Sequence, residues 1–305
     1  MNDKFRGCLY GVAVGDALGA VLEFARCKPK LVYDGYIATI AVNVQFQFAE
    51  MIIHPGAVTD DTEMTLSLYK ALQDQNMVYD RSTVIKSYLD WANLSRTPMG
   101  RNTRALMKGV TTVKGFMSRW NKVTNWETRQ SNGSLMRCAP LALLDNWEEA
   151  SDFDVALTNN NSVNKECSRV YLTLLRAALV GQEVSLEQLI LSAQTEEVRL
   201  CVQDVFDGKE RTASGTLKGW VVTALYVAIR TFYQTLSYQG SMDFIADHFG
   251  PGTDTDTIMA ITGALVGARL GYEGLLAEER TAVNIDRVHQ YFATSSRPFS
   301  LEGRI

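Results

Sequence analysis

Gly252-Thr253-Asp254-Thr255-Asp256-Thr257 is the stretch on which the reading of the fold turns. It is polar and acidic, and an apolar run, Ile258 through Leu270, follows at once. Ile258, Ile261, Leu265 and Ala268 fall on one face at helical spacing. Gly263, Gly267 and Gly271 recur every four residues and leave a face without side chains, so another helix can lie very close. Asp and Thr favour helix starts because their oxygens accept the N–H groups that a first turn leaves over. One such residue suffices for a cap; two carboxylates and three threonines exceed that need. Unpaired carboxylates beside a buried helix are costly, and a hard divalent cation would resolve the cost. An elaborate N-cap is the alternative.

Working outward, Phe5 to Leu22 reads as a helix with glycines at 7, 11, 15 and 19. Glycine is a poor helix former, so four of them need a reason, and close packing against the Gly263/Gly267 face supplies one. Asp16 and Glu23 on this helix either cap a neighbour or line a polar pocket. Thr59-Asp60-Asp61-Thr62-Glu63 follows Pro55-Gly56 and precedes a helix with Met64, Leu68 and Leu72 on one face. It repeats the form of the opening stretch. If the fold joins the two starts, four carboxylates and threonine hydroxyls surround a point. Their hardness suits Mg²⁺, Mn²⁺ or Ca²⁺, and two cations could share the site. Otherwise these are two unrelated capped helices.

Ser131-Asn132-Gly133-Ser134-Leu135-Met136-Arg137 offers small residues around Gly133, where backbone N–H groups can approach a phosphate. A helix expected over Leu135–Leu144 would turn its N-terminus to the anion, and Arg137 would add a charge-assisted contact. A plain Asn-Gly turn is the competing reading. Helices are also expected at Ser82–Asn93, Asn102–Lys108, Glu166–Val180, Ser185–Ala193, Trp220–Phe232 and Val283–Phe292. Gly115–Gln130, with Trp120 and Trp126, reads as irregular. Tyr36–Phe48 alternates at the strand period from Ile40 onward, and the tail Arg297–Ile305 reads as exposed. The expected fold is all-α: a compact single-domain helical bundle over residues 1–305, with a short extended flap near 36–48.

Composition narrows the partners. The chain has 305 residues, 46% hydrophobic and 21% charged, with a net charge of −4. That balance makes no electrostatic case for nucleic acid or a membrane surface, and no apolar run is expected to span a bilayer. Cys8, Cys27, Cys138, Cys167 and Cys201 are scattered without a CxxC pair, which fits a reducing, cytoplasmic setting. His54, His248 and His289 share no ligand spacing, so softer-metal chemistry is not expected.

Four motifs occur in a telling order: Gly15-Asp16-Ala17-Leu18-Gly19 with Glu23, Thr59-Asp60-Asp61-Thr62, Ser131 to Ser134 with Met136-Arg137, and Gly252 to Thr257. Together they resemble the ADP-ribosylglycohydrolases, the group that includes dinitrogenase-reductase-activating glycohydrolase and the ADP-ribosyl-acceptor hydrolases. The resemblance spans residues 5 to 271. It implies an all-α fold and two Mg²⁺ (or Mn²⁺) ions held by Thr59, Asp60, Asp61, Asp254, Asp256 and Thr257. It implies that Glu23, Asp60 or Asp61 activates water. It implies substrate contacts from Asp16, Gly100, Ser131, Asn132, Gly133, Ser134, Met136, Arg137 and Asn159. Two departures stand out. Met99 falls where many relatives that release ADP-ribose from arginine carry Asp, and Asn159 where many carry His.

The function so implied is Mg²⁺-dependent hydrolysis of the glycosidic bond between ADP-ribose and an acceptor, a protein side chain such as arginine, by a monomer. Such hydrolysis passes through an oxocarbenium-like state. A catalytically silent binder of ADP-ribose is the alternative. An all-α Mg²⁺-dependent isoprenoid-diphosphate enzyme is a third reading, though its Asp-rich motifs sit inside helices, not at turns.

Overall fold

The computed structural model describes residues 2–24, 33–39, 41–46, 49–95, 97–213, 217–250 and 253–295. Their order is α1 (Asp3–Phe24), β1 (Val42–Phe46), β2 (Ala49–Ile53), α2 (Asp60–Asp74), α3 (Arg81–Leu94), α4 (Arg101–Met107), α5 (Val113–Trp120), α6 (Trp147–Ala156), α7 (Ser162–Val180), α8 (Leu186–Ser192), α9 (Glu196–Phe206), α10 (Val221–Gln234), α11 (Tyr238–Phe249), α12 (Thr255–Leu276) and α13 (Glu279–Thr294). The fold is all-α apart from one hairpin among the described residues.

The glycines explain the centre. α1 and α12 run antiparallel with their backbones in contact. A Cβ on Gly7 would overlap the Gly267 carbonyl, one on Gly11 that of Gly263, and one on Gly15 that of Met259. A Cβ on Gly19 would overlap the backbone of Asp256. Each helical Gly costs about 1 kcal/mol relative to Ala, and the close approach is what those costs permit. The Tyr238 hydroxyl donates to Gly11 O at 2.6 Å, which ties α11 to the pair. α10, α11 and α7 pack on α12, α13 packs on both, and α2 on α3. At Gly271 the α12 backbone leaves helical geometry (φ 78°, ψ 169°), against Asp3. One apolar cluster runs from Phe5 to Tyr291 and joins all these layers.

Several expectations need correction. Asp3–Glu23 is long and apolar enough to cross a membrane, contrary to the reading of no such run, although nearly all of it is packed inside the protein. Leu135–Leu144 is not an α-helix: short 3-10 turns at Asn132–Ser134 and Ala139–Leu143 replace it. Pro140, which has no N–H to give, sits in the second of them. Gly115–Gln130 is not all irregular, because α5 starts where Thr112 accepts from Gly115 N–H at 3.1 Å. α6, α9 and α11 are additional helices. The flap is an antiparallel hairpin that begins at Val42, with Val42 opposite Ile53 and Phe46 opposite Ala49. Gly252, Cys27, Ile40, Phe48 and the tail from 297 lie outside the described residues.

Candidate active site

The antiparallel pairing sets the C-terminal half of α1, with Asp16 and Glu23, beside the N-terminus of α12. α2 begins at the same place. Asp16 is fully buried and organises that start: its carboxylate accepts from Thr59 N–H at 2.9 Å and from Thr62 N–H at 3.1 Å. It also accepts from the Thr62 hydroxyl at 2.5 Å. The Thr59 hydroxyl lies between Asp16 Oδ1 at 2.8 Å and Asp61 Oδ2 at 3.0 Å.

Helix capping does not account for these residues. The N-cap side chains of α3, α5, α7, α8 and α11 each accept a backbone N–H of their own helix. Thr59 and Asp254, the N-caps of α2 and α12, make no such bond. Their oxygens face other carboxylates instead. Oxygens of Asp16, Asp61 and Asp256 lie within 4.8 Å of one another, and so do oxygens of Glu23, Asp254 and Asp256. The two triads share Asp256.

The electrostatics are strained. Burial, then the charge of Asp16, pushes Asp60 up to about 7. Burial, then the charge of Glu23, pushes Asp254 up to about 7. Burial raises Asp16 to about 6, with its Thr62 and Thr59 hydrogen bonds acting the other way. Asp61 and Asp256 are held well above the carboxylate range by burial, then by Asp16 and Glu23 respectively. Glu23 lies below its usual value: burial acts to raise it, but a proton shared with Asp256 and the Lys218 ammonium outweigh that. When these groups are ionised, Glu23 Oε2 and Asp61 Oδ1 are buried with no donor.

A cleft of about 1120 Å³ opens over the cluster. Glu23, Asp60, Asp254 and Thr257 form its floor, and Ser131, Asn132, Gly133 and Met136 line one wall. Asn132 Nδ2 donates to Asp254 Oδ2 at 2.8 Å, so this wall is fastened to the floor. A Cβ on Gly133 would meet nothing nearer than Ser131 Oγ at 4.0 Å, so Gly133 leaves space in the cleft and is not forced by packing. Pro98, Met99 and Gly100 line another part. The loop before them is anchored by Glu63, whose Oε2 accepts from Trp91 Nε1 at 2.7 Å, Ser95 Oγ at 2.6 Å and Thr97 Oγ1 at 2.9 Å.

A profile of the ADP-ribosylglycohydrolases matches residues 1–297. The chain belongs to the ADP-ribosylglycohydrolase family. It is 24% identical over 289 residues to the ADP-ribosyl-[dinitrogen reductase] glycohydrolase of Rhodospirillum rubrum, covering 90% of this chain and 88% of the relative. It is also 24% identical over 289 residues to the ADP-ribosylarginine hydrolase Tri1 of Pseudomonas putida, covering 90% of this chain and 73% of that one. Among solved structures, an ADP-ribosylglycohydrolase-related protein complex shares the fold, with a TM-score of 0.65 and 24% identity over 94% of this chain and 97% of that one. The protein is thus a hydrolase of glycosyl bonds.

Within this family member, four residues expected at the substrate do not line the cleft: Asp16, whose carboxylate serves the start of α2, and Arg137, Asn159 and Ser134. Arg137 is fully buried, with Nε on Asp154 Oδ2 at 2.9 Å, Nη1 on Gly133 O at 2.6 Å and Nη2 on Asp154 O at 2.8 Å. It holds the loop from behind and has no donor directed to the cleft. Asn159 is also fully buried, donating to Arg129 O at 2.7 Å and Ser131 Oγ at 3.0 Å. Ser134 is buried and accepts from Asn164 Nδ2 at 2.9 Å. With no α-helix at 135–144, the dipole expected from that helix is absent. Trp120 and Trp126 pack on each other with ring centroids 5.2 Å apart, and the Trp120 indole donates to Ala156 O, which pins their segment down. Sequence reasoning missed Lys218 and Trp220, which line the cleft from the loop before α10. Neither carries a spacing that marks it.

Proposed function

We propose that the protein hydrolyses the glycosidic bond between ADP-ribose and an acceptor, a protein side chain such as arginine, with divalent cations, Mg²⁺ or Mn²⁺, bound at the cluster. The observation that carries this reading is the pair of carboxylate triads on the floor of a cleft whose wall is the small-residue loop. The donor set fits hard cations: all oxygen, over-charged, and with Glu23 Oε2 and Asp61 Oδ1 lacking donors. Thr59, Asp60, Asp61, Asp254, Asp256 and Thr257 would hold them, and when bound they supply positive charge that makes water more acidic and steadies sugar oxygens.

The chain's own residues do the rest. Gly133 leaves the backbone open for a diphosphate far from the bond that breaks, and that binding orients the sugar. Glu23, on the cleft floor, takes a proton from the attacking water at Oε2. Asp60 and Asp254 also face the cleft, and both are raised to about 7. Met99 brings no acid or base to the cleft, so Glu23 carries that role. The buried thiols of Cys8, Cys138, Cys167 and Cys201 suit the cytoplasmic, reducing setting proposed here, and one domain acting as a monomer is the simplest form of the enzyme.

The test is incubation with defined ADP-ribosylated peptides, linked through arginine or serine, with Mg²⁺ or with EDTA. ADP-ribose should appear only with the metal. Glu23→Gln should lower turnover about a hundredfold while ADP-ribose still binds. Native turnover in that variant would make Glu23 structural.

A further inference from the structure

Lys218 precedes α10 in a loop fastened to two parts of the site. Gly219 has φ 75°, the left-handed region that favours glycine. Its carbonyl accepts from Asn132 N–H at 2.9 Å. A Cβ on Gly219 would stand 3.1 Å from Asp254 Oδ2, so the loop backbone lies directly against the cluster. Trp220 bridges to Ser131, and its indole donates to Gln130 Oε1 at 2.9 Å. With the backbone held this way, the lysine is aimed. Nζ lies 2.6 Å from Glu23 Oε1, and the two side chains are 25% and 11% exposed.

Among the described residues, this is the one ion pair made by any of Asp16, Glu23, Asp60, Asp61, Asp254 and Asp256. The pair is also asymmetric. One oxygen of Glu23 is taken by the ammonium, while Oε2 is buried and, with Asp254 and Asp256 ionised, meets no donor. A carboxylate ligates a cation through one oxygen or two, and here the protein's own cation already occupies one.

We propose that Lys218 is a positioning residue that holds Glu23 Oε1 away from the divalent-cation site, so that Oε2 alone faces the cation and the water beside it. The inference rests on the reading of the cluster as a cation site. Removing the ammonium would release the second oxygen and also remove a like charge, and both changes strengthen cation binding. The part that acts through Glu23 disappears when Glu23 loses its charge. The part that acts through space does not.

Calorimetric titration of the full chain with Mn²⁺ separates these contributions, free of any assay of turnover. Lys218→Met should bind Mn²⁺ about tenfold more tightly than the native chain, and Lys218→Arg should stay within about threefold of native. In a Glu23→Gln background, Lys218→Met should change the affinity by less than about threefold. Thermal midpoints check that each variant is folded, and Lys218→Gln replaces Lys218→Met if the latter is not. An equal gain in both backgrounds, no gain, or weaker binding overturns the proposal and leaves the cation site standing. No Mn²⁺ binding by the native chain overturns both readings.

Discussion

Two groups of buried charge are tied to the same segment, residues 131–137, and they are built in opposite ways. Arg137 and Asp154 are fully buried and complete. Asp154 accepts from Arg137 Nε at 2.9 Å and from the Tyr88 hydroxyl at 2.9 Å, and the remaining guanidinium nitrogens reach Gly133 O, Thr158 Oγ1 and Asp154 O. Charge cancels and every guanidinium nitrogen has a partner. The carboxylate cluster, attached to the segment through Asn132, has one ammonium for six carboxylates and, when these are ionised, leaves two buried oxygens unmet. A balanced buried network is finished as structure. An unbalanced one is finished only by something that binds.

The comparison breaks if the two groups respond alike to losing a charge. Asp256→Ala, at the residue common to both triads, should lower ADP-ribose release roughly a thousandfold or more, since a metal's role is worth several kcal/mol at about 1.4 kcal/mol per tenfold. Its metal-free thermal midpoint should hold or rise, because one repelling carboxylate is gone. Full activity in this variant, or of the native chain in EDTA, would remove the cation from the account.

Asp154→Ala should do the reverse. It strands Arg137 in the core and should cost about 3–5 kcal/mol in urea unfolding, while the folded fraction keeps its affinity for ADP-ribose within a few-fold.

Acidity sharpens the same contrast. Asp16, at about 6, and Asp60 and Asp254, at about 7, lie above their unfolded values. Between about pH 4 and 7 the native chain therefore holds more protons than the unfolded one, and metal-free stability falls as pH rises. Thermal midpoints in EDTA should drop by several degrees across that window, and Mg²⁺ should restore them at its upper end. A midpoint that rises with pH in EDTA would contradict the strain ascribed to the cluster.

The smallest effect is at the wall between the two groups. Gly133→Val should weaken ADP-ribose binding about tenfold, or about 1.4 kcal/mol, with the ligand-free midpoint unchanged, because the added side chain enters open cleft. A fall in midpoint with native affinity would make Gly133 a turn former and nothing more.

How far these features could be read from the chain depended on whether they repeat. Glycines four apart on two segments predicted a helix pair in backbone contact, and α1 and α12 are that pair. Two Thr/Asp-rich starts predicted carboxylates in company. The side on which a residue of a short motif falls was not legible. Ser134 lies in a 3-10 turn and Arg137 between two of them, Asn159 follows the end of α6, and no period announces which way such residues face. Lys218 was invisible for another reason: a lone lysine far along the chain from Glu23 has no local partner to mark it. α6 is obscured by an acidic first turn and few apolar positions, whereas α9 is legible behind its acidic first turn, where Val198, Cys201, Val202 and Val205 fall at helical spacing.

The contact between α1 and α12 has a mechanical consequence. Two helices that meet through side chains can slip or breathe, since rotamers absorb small displacements. Here main chain meets main chain at four successive turns, and no soft element lies between them. Asp16 and Glu23 sit on one rod, Asp254 and Asp256 on the other, so their spacing is fixed as on a rigid gauge. Such a gauge does not loosen by degrees. The site should keep its dimensions on warming until the rods part, and amides of both helices should then exchange together, in the same event that ends cation binding.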